Sequence, residues 1–264
     1  MLPVSGVVYL TNNCYLRCSH CFLAESGKIE EKLEIPFEKV IEMLEDFKKN
    51  KVFMVAYTGG DPLLHPRVFE ILRETYKRNM MPLLGISGVG VTDEIAKKIY
   101  NSGVRCVQVS LDGSNEEINS AFRGSGVFDK VCESIIILQK NGIKTNLAVC
   151  LNNKNYEDYK SIIKFAYDRN IYKMKIAFWN DLNGCKVFQC LNKEQKKEVI
   201  NYCKQFESEK NLDEWILCLE EAKELVKLHN KALVVEADGS IRSSEHGDVI
   251  GSIYSNMPSF YYGD

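Results

Sequence analysis

No apolar run in the sequence approaches the length needed to cross a bilayer, and no basic segment precedes an apolar one in the opening MLPVSGVVYL. A membrane span and a secretion signal are therefore not expected; the chain reads as cytoplasmic, with no membrane partner. Positive charge is not in excess either. The formal net charge of −2 leaves no basic field for a nucleic acid, so no such partner is expected. Internal repeats and low-complexity tracts are missing as well. Cysteine is plentiful, but the framed spacing of a small secreted disulfide scaffold is not there. The ten cysteines are scattered at 14, 18, 21, 106, 132, 150, 185, 190, 203 and 218, which makes metal ligation a stronger reading than disulfides.

What is present is an alternation of β-rich apolar runs and amphipathic stretches. Val7–Leu10, Val52–Tyr57, Pro82–Ile86, Val104–Leu111, Lys144–Leu151 and Tyr172–Phe178 read as strands. Between them Phe37–Lys48, Arg67–Arg78, Asp93–Asn101, Val127–Gln139 and Tyr156–Arg169 read as helices. Strands separated by helices cannot pair as hairpins, so the pattern predicts a mostly parallel α/β sheet covered by helices, either doubly wound or a partial barrel. In both, function belongs at the C-terminal edge of the strands. After residue 180 the pattern breaks. Lys193–Glu209 and Leu212–Asn230 read as helical, and Ala232–Ala237 with Ser240–Ser243 as a hairpin about Asp238-Gly239. The expected organisation is a core over 1–180 and a small helical and hairpin appendage over 181–264.

Cys14, Cys18 and Cys21 form C-x3-C-x2-C on the loop after the first strand. Three thiolates there can hold three irons of a [4Fe–4S] cubane and leave the fourth open to a ligand that is not protein. A structural zinc site would need a fourth closed ligand, commonly from a second knuckle, and no second C-x2-C occurs. Spacing alone leaves cluster, zinc and incidental thiols open.

Tyr57-Thr-Gly-Gly-Asp-Pro62 follows the second strand. Its glycines permit close backbone approach to a ligand and Asp61 offers an acceptor for an ammonium group, although the same residues are ordinary turn chemistry. Ser110 and Asp112, two apart at the end of the fourth strand, could bind a ribose diol; the plainer role is a helix cap from Asp112 or Ser114. Arg123, in a Gly-flanked segment, could clamp a carboxylate or be a solvated charge.

Together and in this order, these pieces resemble the radical S-adenosylmethionine (SAM) superfamily over about residues 5 to 180. The resemblance implies a partial (β/α)6 TIM-type barrel, a [4Fe–4S] cluster on Cys14, Cys18 and Cys21, and SAM chelating the fourth iron. Reductive cleavage of SAM to a 5′-deoxyadenosyl radical would then remove a substrate hydrogen atom. Gly59, Gly60, Asp61 and Pro62 would hold the methionine amino end, Ser110 and Asp112 would lie near the ribose, and Arg123 near the carboxylate. His20 would support the adenine. Asp61 stands where Glu is commoner, and Ser87-Gly-Val departs from the usual Thr-Asn-Gly. A one-electron reductant such as flavodoxin or ferredoxin is the implied protein partner.

Leu233–Ile253 resembles the start of the SPASM-type extension of radical SAM peptide-modifying enzymes, but Ser244 stands where an auxiliary-cluster cysteine belongs and no cysteine follows Cys218. The extension is expected to lack its metal ligands, whether by loss or by truncation at Asp264, and no leader-binding domain is expected ahead of the barrel. Cys203 and Cys218 read as small buried residues, Cys185 or Cys190 as a candidate hydrogen-atom donor. The leading expectation is peptide modification, by epimerisation or by cross-linking. The same chemistry on a sugar, nucleotide or cofactor precursor, and a metal-binding module without turnover, are the alternatives.

Overall fold

A computed structural model describes residues 5–180, 188–218, 232–242 and 249–254. Six strands follow the order read from the sequence: β1 Ser5–Thr11, β2 Met54–Gly59, β3 Met81–Ile86, β4 Cys106–Ser110, β5 Lys144–Leu151 and β6 Lys173–Phe178. Each pairs in parallel with the next. A short helix, α1 (Phe22–Glu25), follows the thiol loop. Between the strands lie α2 (Phe37–Lys49), α3 (Val68–Lys77), α4 (Asp93–Asn101), α5 (Glu116–Arg123), α6 (Val127–Lys140) and α7 (Tyr159–Asp168), and α8 (Lys193–Lys210) comes after β6.

Alternation along the strands separates two faces. One side is buried under the helices: Val107 and Val109, Leu147 and Val149, and Met174 and Ile176 all join the core. Residues between them, such as Gln108, Asn146 and Lys175, are half-buried on the opposite face. A parallel sheet with helices on one face and a half-open lumen on the other is an open, partial (β/α)6 barrel.

Three local expectations change. Glu116–Arg123, assigned no element from the sequence, is a helix; its N-cap is Asn115, whose side chain accepts from Ile118 N–H, so neither Asp112 nor Ser114 caps it. Ser114 instead bonds the Asp158 carboxylate through its N–H and hydroxyl. The helix expected from Leu212 gives way, in its described part, to strand β7 (Ile216–Cys218), parallel to β6. A three-residue apolar run carries no period that separates strand from helix, and pairing with β6 decides.

The segment after 231 contributes β8 (Ala232–Val235), β9 (Ser240–Arg242) and β10 (Val249–Ser252). β8 runs parallel to β1, and β9 and β10 turn back antiparallel, so one sheet orders as β10-β9-β8-β1-β2-β3-β4-β5-β6-β7. Glu236, beyond β8, ties this piece to the segment after the cysteines through an ion pair with Lys28, and within the piece it pairs with Arg242 at 2.7 Å. Cys185, Ser244 and the expected helix beyond Cys218 lie outside the described residues. No helix among the described residues is long and apolar enough to cross a membrane.

Candidate functional site

The thiol loop leaves β1 at Thr11 and is held from below by its own backbone. Gly60 N–H donates to Thr11 O at 2.7 Å and Asp61 N–H to Asn13 O at 2.6 Å. A Cβ on Gly60 would stand 2.1 Å from Asn13 O, and one on Gly59, at φ +134°, 2.3 Å from Thr11 O. The two glycines after β2 therefore admit the cysteine loop itself, a closer approach than any side chain allows.

Asp61 is fully buried. Its Oδ1 caps a short 3-10 turn at Pro62–Leu64 by accepting from Leu63 N–H at 3.0 Å; its Oδ2 accepts the Ser87 N–H at 3.0 Å and hydroxyl at 2.5 Å. Burial pushes its pKa up, against these hydrogen bonds. Both oxygens are engaged inside the protein, so Asp61 fixes the loop after β3 to the loop after β2. Burial also raises the neighbouring Cys14 thiol to about 11, an effect the Asp61 carboxylate adds to.

Across the strand edge, Asp112 is the hub. β4 ends at Ser110, which faces the lumen, whereas Asp112 lies past the strand and is 1% exposed. Its Oδ2 meets Arg123 Nε at 2.7 Å and stands 3.3 Å from His20 Nε2, and its Oδ1 accepts Cys150 N–H at 2.8 Å. Arg123, the last residue of α5, places Nη1 4.0 Å from Cys18 Sγ. Burial raises the Cys18 thiol and this guanidinium opposes the rise. Burial also depresses His20, so at neutral pH its ring is an uncharged imidazole. The ring meets Phe122 and Phe188 edge-on at 5.9 and 6.3 Å, and Trp179 packs on Phe188 at 5.7 Å.

Residues 14–21, 59–62, 87, 110–112, 123 and 150 thus gather at the C-terminal edge of β1 to β5. The sequence reading missed Cys150, Asn119, Asn155, Phe188 and Trp179. Cys150 was reachable from the period-two pattern of β5, which puts it on the lumen face; its thiol is raised to about 12 by burial and by Asp112, and is therefore neutral. Asn119 accepts from Asp112 N–H, and Asn155 donates to Cys150 O and to Asp112 O, the last a partnership across 43 residues with no local signal.

The superfamily model for radical SAM proteins matches residues 8–166, more than half of the chain. This chain belongs to the radical SAM superfamily. It is 27% identical over 228 residues to an Fe-coproporphyrin III synthase of Methanosarcina barkeri, covering 86% of this chain and 53% of the relative. It is 30% identical over 165 residues to the mycofactocin maturase MftC of Mycolicibacterium smegmatis, covering 62% and 42%. It is 32% identical over 158 residues to the subtilosin biosynthesis protein AlbA of Bacillus subtilis, covering 58% and 34%. The chain thus spans about half or less of these relatives. In fold it matches Streptococcus suis SuiB bound to its precursor peptide SuiA, with TM-score 0.82 at 14% identity, over 100% of this chain and 65% of SuiB.

The superfamily uses a [4Fe–4S] cluster and SAM, and the residues present fit both. Among the described residues no three His, Cys, Asp or Glu side chains gather as ligands of one ion. Three thiols on the one short loop after β1 fit a cubane, which takes each thiolate on a separate iron. Around Asp112, the buried atoms His20 Nδ1, Asn119 Nδ2, Asn152 Nδ2 and Trp179 Nε1 have no hydrogen-bond partner. Buried polar atoms left open in this way suit a ligand rich in hydrogen-bonding groups, as adenine and ribose are.

Proposed function

We propose that this radical SAM chain modifies a ribosomally synthesised peptide, by epimerisation or by forming a carbon–carbon or thioether cross-link. The observation that carries the reading is the lumen face beneath the thiol loop. It presents Gln108 of β4 and Asn146 of β5 in register, with Thr58 of β2 across the bare Gly85 of β3, amide and hydroxyl groups suited to a peptide backbone. The relatives MftC and AlbA, a maturase and a bacteriocin biosynthesis protein by name, and the SuiB–SuiA complex support it.

When bound, the cluster and SAM supply a primary carbon radical through one-electron cleavage of a sulfonium. The chain's own residues do the rest. Cys14, Cys18 and Cys21 would ligate the cluster; Gly59, Gly60, Asp61 and Pro62 set the loop against the site. Arg123 and Asp112, fixed to each other, hold α5 over the strand edge beside Cys18. Ser110 faces the lumen where ribose would approach, and His20 with Phe122 and Phe188 keeps water from that side. Flavodoxin or ferredoxin would supply the electron.

A second reading rests on the Fe-coproporphyrin III synthase, whose match runs over 86% of this chain: the substrate is then a small metabolite of tetrapyrrole type. The test is turnover of candidate peptides by the anaerobically reconstituted protein in deuterated water. Deuterium incorporation means epimerisation, and loss of two hydrogens means cross-linking. Consumption of a coproporphyrin with all peptides unchanged would select the second reading. Reductive SAM cleavage by the C14A/C18A/C21A variant would overturn both.

A further inference from the structure

Resting on the peptide reading, we propose that Lys175 is the specificity residue of the lumen and that the peptide presents a carboxylate to it next to a backbone N–H held by Asn146. Lys175 sits mid-way along β6 on the half-buried face, between the buried Met174 and Ile176. Its partners in register are Ala148 on β5 and Leu217 on β7, neither of which offers a side-chain acceptor.

The whole lumen face of β1 to β7 carries no Asp or Glu. Its other cations lie at the N-terminal rim and are engaged: Lys173 Nζ donates to Glu214 O at 2.6 Å, and Lys144 Nζ stands 4.0 Å over the Tyr172 ring. Lys175 alone lies deeper, and among the described residues it makes no ion pair or hydrogen bond. Two positions further along β6, Ala177 pairs with Cys150, whose N–H reaches Asp112. Lys175 is therefore about 7 Å along the strand from the layer that touches the reactive edge, one or two residues of an extended peptide.

Charge and solvation then decide what can fill the lumen. A substrate that displaces water from around an ammonium must replace that solvation, and a carboxylate on the substrate supplies the counter-charge that the described strand face does not. The second observation is Asn146 Oδ1, buried without a donor one pleat away, between Gln108 on β4 and Lys173 on β6. An acceptor lacking a donor beside a cation lacking an anion matches a peptide N–H followed by a carboxylate. The carboxylate is either a Glu or Asp side chain or the peptide's C-terminus. The register partner of Lys175, Ala148, and its strand neighbour Ala177 are both small.

The test uses reconstituted, SAM-loaded protein and fluorescein-labelled alanine pentapeptides read by anisotropy. One carries central Glu with an amidated end, one central Gln with an amidated end, and one central Gln with a free C-terminal acid. The Glu or the free-acid peptide is expected to bind about tenfold tighter than the amidated Gln peptide, with the difference shrinking in salt. K175M should abolish that difference, and K175E should favour a Lys peptide, while SAM binding stays unchanged in both. N146A should weaken all three peptides alike. Equal binding of Glu, Gln and free-acid peptides, a preference that survives K175M, or no carboxylate probe bound at about 1 mM would overturn the proposal. Lys175-dependent binding of coproporphyrin III with no peptide bound would retain carboxylate recognition at Lys175 and refute the peptide reading.

Discussion

Asp61 shows how fully one carboxylate can be engaged. Three hydrogen atoms converge on its two oxygens, from Leu63 and from the Ser87 backbone and hydroxyl. Asn at this position has one oxygen to offer and must turn its NH2 toward another N–H. D61N is therefore expected to destabilise the protein by about 1–3 kcal/mol, the penalty of a stranded buried donor, measured by denaturant unfolding. An unshifted midpoint would mean that relief of the buried charge compensates. From the residues alone Gly-Gly-Asp-Pro was open to a ligand-binding and a turn reading, and which backbone the glycines admit was not legible. Thr11 and Asn13 are about fifty residues away in sequence and only the parallel pairing of β1 with β2 brings them there.

Elements carry two further expectations. In G60A the new methyl group cannot coexist with Asn13 O at 2.1 Å, so the thiol loop must move. Fewer irons per chain after reconstitution are expected, with an unchanged far-ultraviolet spectrum; full iron loading would show that the loop tolerates displacement. Glu198 of α8 accepts hydrogen bonds from Tyr156, in the 3-10 turn ahead of α7, and, at 2.9 Å, from Tyr159 at the start of α7. The hydrogen bond to Glu198 raises Tyr156 to about 12, burial raises Tyr159, and the two hydroxyls hold Glu198 below its usual range. For the tyrosines the folded values exceed the unfolded value of about 10, so their stabilisation is complete below pH 10 and lost as pH rises through the folded values. For Glu198 the sign reverses, and stability is lost as pH falls below the unfolded value of about 4.3. E198Q should flatten the acid limb of a plot of melting temperature against pH and reduce the alkaline limb, of which the part due to burial of Tyr159 remains, and a parallel curve would sink this account. The pair was not legible beforehand, because helix periodicity identifies a buried stripe without saying which helices share it. α5 had a local signal, an Asn115 cap ahead of Glu116 and Glu117, in a helix too short for a periodic pattern.

At the scale of the molecule, the appendage expected after residue 180 supplies strands to both sides of the central six. β7 continues the sheet beyond β6, and β8 adds to β1 with Val8 opposite Val235, both with 0% exposure. A charge at 235 has no water and no partner, so V235D is expected to lower stability by more than about 3 kcal/mol and to broaden or abolish cooperative unfolding of the whole chain. A small loss, with the barrel's transition intact, would show that the hairpin folds as a separate unit.

The sequence by itself determined the alternation of strands and helices, the cysteine spacing and the superfamily, because those properties are local: a two-residue or 3.6-residue period and a short ligand spacing survive without neighbours. Contacts across long separations were decided only by tertiary structure. Asp112 joining Arg123, His20 and Cys150, the thiol loop resting on Gly59 and Gly60, and Lys175 lying on a strand face that carries no carboxylate among the described residues all depend on which strands lie side by side. Strand order places side chains from residues 9 to 217 on one face, and a single sequence carries no local term that states it.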